Sequence, residues 1–116
     1  FLNFISSKDI FFLYEKNKGV AYLIARVVGD DIELLSLSVD LKERRKGYAK
    51  NLLTNLKKIA IKKKIKNIFL EVCIDNSQAK DLYFRFGFKK IGVRKKYYKA
   101  KKKQHDALVL IYNLMR

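Results

Sequence analysis

The sequence predicts a single α/β domain built on a mixed, mostly antiparallel sheet that is flanked by helices. Three observations support this. Runs of β-branched and aromatic residues separated by turn residues fill the first third of the chain. The apolar spacing then changes twice to three and four residues, and further strand-like residues follow each helical stretch. No linker-like tract or internal repeat divides the 116 residues, so one domain over 1–116 is expected.

Three consecutive antiparallel strands are predicted first. Residues 9–15 are β-branched and aromatic, and a turn over 16–19 leads to a second strand over 20–28. A second turn at Gly29-Asp30-Asp31 leads to a third strand over 32–39. These elements form a meander that provides one half of the sheet.

The rest of the chain alternates helices and strands. An amphipathic helix is predicted from Ala49, where apolar residues recur at helical spacing through Ala60. A buried strand follows over 65–74, with Glu71 and Cys73 on one side. A short helix begins after Asp75-Asn76-Ser77 and ends at Gly87. Strands over 88–98 and 107–114 close the order βββαβαββ.

Composition excludes several classes of protein. The net charge is +16, from 27 Lys and Arg against 11 Asp and Glu, and 21 of the 27 are lysine. The single cysteine, Cys73, excludes an internal disulfide, and no Cys/His spacing predicts a metal site. Apolar runs are too short for a membrane span, so we expect a soluble, cytoplasmic protein. The charge fits either a compositional habit or steering toward an acidic partner such as a ribosome or nucleic acid.

The segment between the third strand and the first helix has the chemistry of an anion site. Unpaired N–H groups and the positive end of the dipole favour an anion at a helix N-terminus. The residues Arg44, Arg45, Lys46 and Lys50 add positive charge, while Gly47 and Ala49 lack bulk. The spacing matches neither a Walker A motif nor a dinucleotide fingerprint. These residues alone favour an ordinary basic first turn with one glycine.

With its position between strand and helix, Arg44-Arg45-Lys46-Gly47-Tyr48-Ala49 resembles the Q/R-x-x-G-x-G/A signature of the GCN5-related N-acetyltransferase (GNAT) superfamily. Further residues are similar to its ribosomal-protein-alanine N-acetyltransferase (RimI-like) branch. They are Leu70-Glu71-Val72, Asn76, Ala79, Leu82-Tyr83, Phe86-Gly87-Phe88 and the run from Gly92 to Tyr98. The resemblance covers about residues 32–112.

The resemblance implies a GNAT-like fold whose usual N-terminal strand and helices are largely missing here. It implies acetyl-CoA as co-substrate and no metal. The implied acetyl-CoA contacts are Leu37, Ser38 and Val39 for the pantetheine arm, Arg44, Arg45, Lys46, Gly47, Tyr48, Ala49 and Lys50 for the pyrophosphate, and Asn76 for the pantetheine. Glu71 corresponds to the general base and Tyr83 to the general acid, and Tyr97 and Tyr98 fall where the acceptor groove is expected.

The activity implied is transfer of an acetyl group to a protein N-terminal α-amine, with a ribosomal protein as the expected acceptor. An α-amine has a pKa of roughly 7.7 to 8.0, so it must lose a proton before it attacks a thioester. A carboxylate suits that step, and a phenol suits the departing thiolate.

Each assignment has a structural alternative. Glu71 could lie on a solvated edge strand, Tyr83 could be a core residue, and Asn76 could simply cap a helix. Cys73 is interpreted as a small filler and His105 as an exposed loop residue. Alternative functions are a GNAT enzyme acting on a lysine side chain or small amine, and a noncatalytic module that binds ribosomal RNA. An uncovered sheet face or edge would favour self-association.

Overall fold

A computed structural model describes residues 2–7, 10–15, 20–95, 97–98, 103–104 and 106–114. The order of elements is β1 (Leu2–Ser7), β2 (Ile10–Glu15), β3 (Ala21–Val28), β4 (Asp31–Val39), α1 (Tyr48–Lys62), β5 (Asn67–Cys73), α2 (Ser77–Phe86), β6 (Lys89–Arg94), β7 (Tyr97–Tyr98), β8 (Lys103–Gln104) and β9 (Ala107–Asn113). A short 3₁₀ turn over Leu41–Glu43 joins β4 to the loop before α1.

Seven strands form one sheet in the order β1-β2-β3-β4-β5-β9-β6. Neighbouring strands are antiparallel except β4 and β5, which are parallel and joined by the crossover helix α1. The predicted mixed, mostly antiparallel α/β fold is therefore confirmed.

Both helices pack on the same face of the sheet. The apolar stripe of α1 (Leu52, Leu53, Leu56 and Ala60) is buried in one cluster with alternate residues of β2, β3, β4 and β5. On β9, the Tyr112 ring meets Phe86 of α2 at 5.5 Å and the ammonium of Lys57 of α1 at 5.2 Å. Because side chains alternate across a strand, residues out of phase with Tyr112 face away from both helices.

Two expectations from the sequence are wrong in detail. A strand precedes the predicted three, because Leu2–Ser7 pairs antiparallel with β2. In the described residues before α1 there is no α-helix. The predicted strand over 88–98 ends at Arg94, and Tyr97–Tyr98 pairs instead with Lys103–Gln104 in a separate two-stranded ribbon. The turn at 16–19 and His105 lie outside the described residues.

Candidate active site

A split in the sheet between β4 and β5 creates the site. The two strands pair only from Asp31 to Glu33 and from Asn67 to Phe69, and then the ladder ends. Just beyond, β4 carries a bulge: Ile24 pairs with Ser36 but Ala25 pairs with Leu34, which leaves Leu35 as the extra residue. A bulge bends a strand and increases its twist. The second half of β4 therefore diverges from β5.

The divergence opens a groove of about 240 Å³. Its walls are the bulged part of β4 (Leu34, Leu35, Ser36 and Leu37), the end of β5 (Leu70, Glu71, Val72 and Cys73) and the first turns of α2 (Asn76, Ala79 and Tyr83). Among the residues predicted from the sequence, Leu37, Glu71, Asn76 and Tyr83 line this one groove. Ser38 and Val39 continue β4 beyond it, paired on their other side with β3.

Glu71 reaches the groove from the face of the sheet opposite the helices. Its neighbours Leu70 and Val72 are buried on the helix side, whereas a quarter of the Glu71 side chain is exposed. The Arg94 guanidinium donates a hydrogen bond of 2.8 Å from Nη1 to Glu71 Oε2. This bond and the attraction between the charges raise the pKa of Arg94. The sequence singled out Glu71 but assigned no role to Arg94.

Tyr83 reaches the groove from the helix side. It is the buried residue of α2, with 7% of its surface exposed, and its ring meets the edge of Phe88 at 5.6 Å. Burial disfavours the phenolate and raises the pKa of Tyr83 from 10.0 to about 12. The phenol therefore stays protonated at neutral pH. Tyr83 therefore packs in the core and also lines the groove, so the two alternatives for this residue are compatible.

The loop before α1 has the geometry of an anion site. Arg45 and Gly47 both have positive φ, 66° and 83°. Left-handed residues in such a loop turn successive N–H groups toward a concavity. Gly47 is the N-cap of α1, no side chain caps the helix, and no acidic residue occupies its first turn. The positive end of the α1 dipole is therefore not offset by an acidic side chain of its own first turn.

The charged residues of this loop are arranged around Gly47. Arg45, Lys46 and Lys50 are exposed, and Tyr48 and Ala49 are half-buried. Lys46 pairs with Glu43 at 3.0 Å, which offsets one positive charge. The Arg44 guanidinium hydrogen-bonds the Val39 carbonyl at 3.3 Å and Gln78 Oε1 at 3.4 Å. It thus links the end of β4 to the first turn of α2.

Asn76 caps α2 as its sequence predicted, because its Oδ1 accepts a hydrogen bond of 3.1 Å from the Ala79 N–H. It also lines the groove. Tyr97 and Tyr98 lie in the separate two-stranded ribbon that follows β6. In the described part of the chain, no three His, Cys, Asp or Glu side chains cluster as metal ligands. No helix in that part is long and apolar enough to cross a bilayer.

The sequence interpretation missed several residues in the groove and beside it. Ser36 and Gln78 belong to no motif that the sequence shows. Leu35 is distinguished from the leucines beside it only by its place as the extra residue of the bulge. Arg94 lies within the basic, tyrosine-containing run from Gly92 to Tyr98, and its position on the Glu71 side of the sheet depends on the order of the strands. The sequence does offer one signal, because side chains alternate between the two faces of a strand. This alternation along β6 places Arg94 on the same face as Gly92.

Comparisons with known proteins support the family that the sequence motifs resemble. The chain is 37% identical over 84 residues to the [ribosomal protein bS18]-alanine N-acetyltransferase of Haemophilus ducreyi, covering 72% of this chain and 58% of that protein. The crystal structure of the ribosomal-protein-S18-alanine N-acetyltransferase from Escherichia coli matches with a TM-score of 0.78 and 27% identity, over 97% of this chain and 70% of that one. Arabidopsis thaliana NAA60 in complex with acetyl-CoA has the same fold, with a TM-score of 0.82 at 18% identity, over 93% and 78% of the two chains.

The chain thus spans little more than half the length of the Haemophilus relative. A family model described as the acetyltransferase (GNAT) family matches residues 3–88, which is most of the chain. The split between two parallel strands and the glycine-containing loop at the start of α1 fall within this matched region. The chain belongs to the acetyltransferase (GNAT) family.

Proposed function

We propose that this chain is the acetyl-CoA-dependent N-acetyltransferase domain of an enzyme that acetylates a protein N-terminal α-amine, with a ribosomal protein as acceptor. The observation that carries the proposal is the groove in the split sheet, which Glu71 and Tyr83 line from opposite faces. Similarity to two ribosomal-protein-alanine N-acetyltransferases supports the acceptor class. Such a substrate is made in the cytoplasm, and we assign the enzyme to that compartment.

Acetyl-CoA binding is assigned to the loop and the open edge of β4. The diphosphate would accept hydrogen bonds from main-chain N–H groups between Arg45 and Lys50, at the positive end of the α1 dipole. The pantetheine arm would lie along Leu37–Val39, where β4 has lost its pairing with β5, in the manner of an added strand. Asn76 lies beside that path and offers its side-chain amide.

Glu71 is assigned as the general base. The acceptor arrives as an ammonium ion, whose nitrogen must give up a proton before it can attack. The Glu71 carboxylate lies on the face of the sheet opposite the two helices, with a quarter of its side chain exposed to an approaching protein N-terminus, and it can take that proton directly or through water. The neutral nitrogen then attacks the thioester carbon, and the carbon–sulfur bond breaks as the amide forms.

Tyr83 is assigned to the departing sulfur. A thiol has an ordinary pKa of about 8.5, more than three units below the pKa of Tyr83, which is about 12. Complete proton transfer from this phenol to a thiolate is therefore uphill, and hydrogen-bond donation to the sulfur is the larger part of its contribution. As the amide forms, the nitrogen loses its second proton and the sulfur gains one, so CoA leaves as a thiol and the phenol keeps its own proton. Glu71 later gives the first proton to water.

The test is a thiol-release assay on the protein with acetyl-CoA and a set of peptides. One peptide begins with alanine, one has the same sequence with its α-amine blocked, and one has a blocked α-amine and an internal lysine. Free CoA is expected with the first peptide alone. Release with the lysine peptide alone would overturn the acceptor assignment. Release with none, together with RNA binding that weakens steeply as salt rises, would favour the noncatalytic alternative supported by the +16 charge.

A further inference from the structure

The candidate base is held by a residue from a strand that is not its neighbour. In the sheet, Glu71 lies opposite Val109 of β9, and Val109 lies opposite Gly92 of β6. A Cβ at Gly92 would meet none of the described atoms within 4 Å, so this row leaves room beside the glycine for a long side chain to cross. Arg94, two residues further along β6 on the same face, reaches back across β9 to Glu71.

The two partners differ in exposure. Two thirds of the Arg94 side chain is exposed (67%), against 25% for Glu71. The guanidinium therefore covers the carboxylate from the solvent side, on the face that carries neither helix. An ion pair with an exposed partner contributes little to stability, because the exposed group keeps much of its hydration. Arg94, the exposed partner, can therefore return to water when another cation takes its place beside Glu71.

We propose that Arg94 is an exchangeable counter-ion: it holds Glu71 in the empty enzyme and gives up its place to the ammonium group of the acceptor. The inference rests on the proposed function, since it takes Glu71 as the group that receives the acceptor amine. The exchange replaces one cation by another, so the carboxylate keeps a positive partner throughout binding. Arg94 is thus a positioning residue that competes with the acceptor and is displaced before the reaction begins.

A second ion pair on the same face provides a matched control. Arg26 of β3 binds Glu33 of β4 through Nη2 at 2.7 Å, with 52% and 25% of the two side chains exposed. The distance and the exposure of the carboxylate resemble those of Arg94 and Glu71, although Arg26 and Glu33 lie opposite each other on adjacent strands, and neither of them lines the groove. Substitution of Arg26 therefore shows what the loss of a cross-strand ion pair does on this face while the Arg94–Glu71 pair stays in place; Glu33, the partner of Arg26, also attracts the Arg94 guanidinium.

The experiment compares the wild-type protein with R94Q, R94K and R26Q in steady-state kinetics with the alanine peptide. Loss of the competing cation should lower the KM for the peptide about two- to fivefold in R94Q, with kcat and the KM for acetyl-CoA unchanged. R94K should stay close to wild type because it keeps a cation, and R26Q should leave all three constants unchanged. A higher peptide KM in R94Q, or a lower kcat at an unchanged KM, would overturn the exchange.

Calorimetric binding separates this inference from the proposed function. R94Q should bind the alanine peptide more tightly than wild type by the same factor, and should bind the peptide with a blocked amine no more tightly. In an E71Q background the effect of R94Q should disappear. If wild-type protein shows no thioester turnover, the proposed function fails, yet these binding differences still test the exchange. Identical binding of the free-amine peptide by R94Q and wild type would refute it.

Discussion

The two halves of β4 perform different tasks although they belong to one strand. From Asp31 to Glu33 the strand is bonded to β3 on one side and to β5 on the other, and Ile32 is completely buried. From Ser36 to Val39 it is bonded to β3 alone, and its residues are only half-buried. The first half holds the sheet together, and the second half leaves an edge that an extended ligand can use.

The boundary between the halves is the bulge at Leu35, which is 47% exposed although it is an aliphatic residue inside a strand. The site is thus produced by interrupting the sheet rather than by adding a loop. The interruption also explains how Glu71 and Tyr83, which approach from opposite faces, can line one groove. A continuous sheet would separate them.

The largest effect is expected at Glu71, which lies on β5 and faces the open half of β4 across the groove. Glu71→Gln keeps the shape of the side chain but cannot take a proton, so kcat should fall by roughly 10² to 10⁴ fold. The affinity for acetyl-CoA, measured by calorimetry, should change little because the loop around Gly47 is untouched. Glu33→Gln is the control in the closed half and should keep kcat near the wild-type value. Full activity in the Glu71 variant would remove the carboxylate from the mechanism.

Tyr83→Phe should lower kcat by roughly 10² fold, the value typical of losing one hydrogen-bond donor to a developing charge. The ring can keep its contact with Phe88, so folding should be retained. Tyr112→Phe removes a hydroxyl from another ring of the same aromatic cluster and serves as the control. Equal kcat values for the two variants would show that the Tyr83 hydroxyl has only a packing role.

Burial of Tyr83 also predicts a dependence of stability on alkaline pH. The pKa is about 12 in the folded protein and 10.0 for an ordinary tyrosine, so the folded state holds the proton more tightly. The resulting stabilisation, on the order of 2–3 kcal/mol, is complete below pH 10 and is lost as pH rises from 10 toward 12. Denaturant unfolding between pH 8 and 11 should therefore show a steeper loss in wild type than in Tyr83→Phe. Parallel curves would contradict it.

The sequence predicted the elements that depend on local pattern. The stripe through Leu52 and Leu56 marked α1, and Asn76 and Gly87 marked the two ends of α2, because periodicity and capping are properties of neighbouring residues. The residues of the groove on β4, β5 and α2 were predicted in part, through similarity to a family whose motifs they match.

What the sequence could not predict depends on pairing between distant strands. The sequence predicts one strand through Tyr98, but β9 begins at Ala107, opposite Arg94, and the pairing between β6 and β9 ends there. The bulge at Leu35 appears only when β3 is aligned beside β4. The contact between Arg94 and Glu71 requires β9 to lie between their strands, which no local pattern specifies.

Two glycines test whether the loop before α1 binds the cofactor or only turns the chain. Gly29 and Gly47 both have positive φ, 62° and 83°, and a Cβ at either position would meet nothing within 4 Å. Alanine at each should therefore cost about 1 kcal/mol of stability from backbone strain alone. Only Gly47→Ala should also weaken acetyl-CoA binding, by up to about tenfold, because its backbone shift misaligns the N–H groups that would contact the diphosphate. Thermal unfolding and calorimetric titration measure the two effects separately, and equal acetyl-CoA affinities in the two variants would mean that the loop is structural.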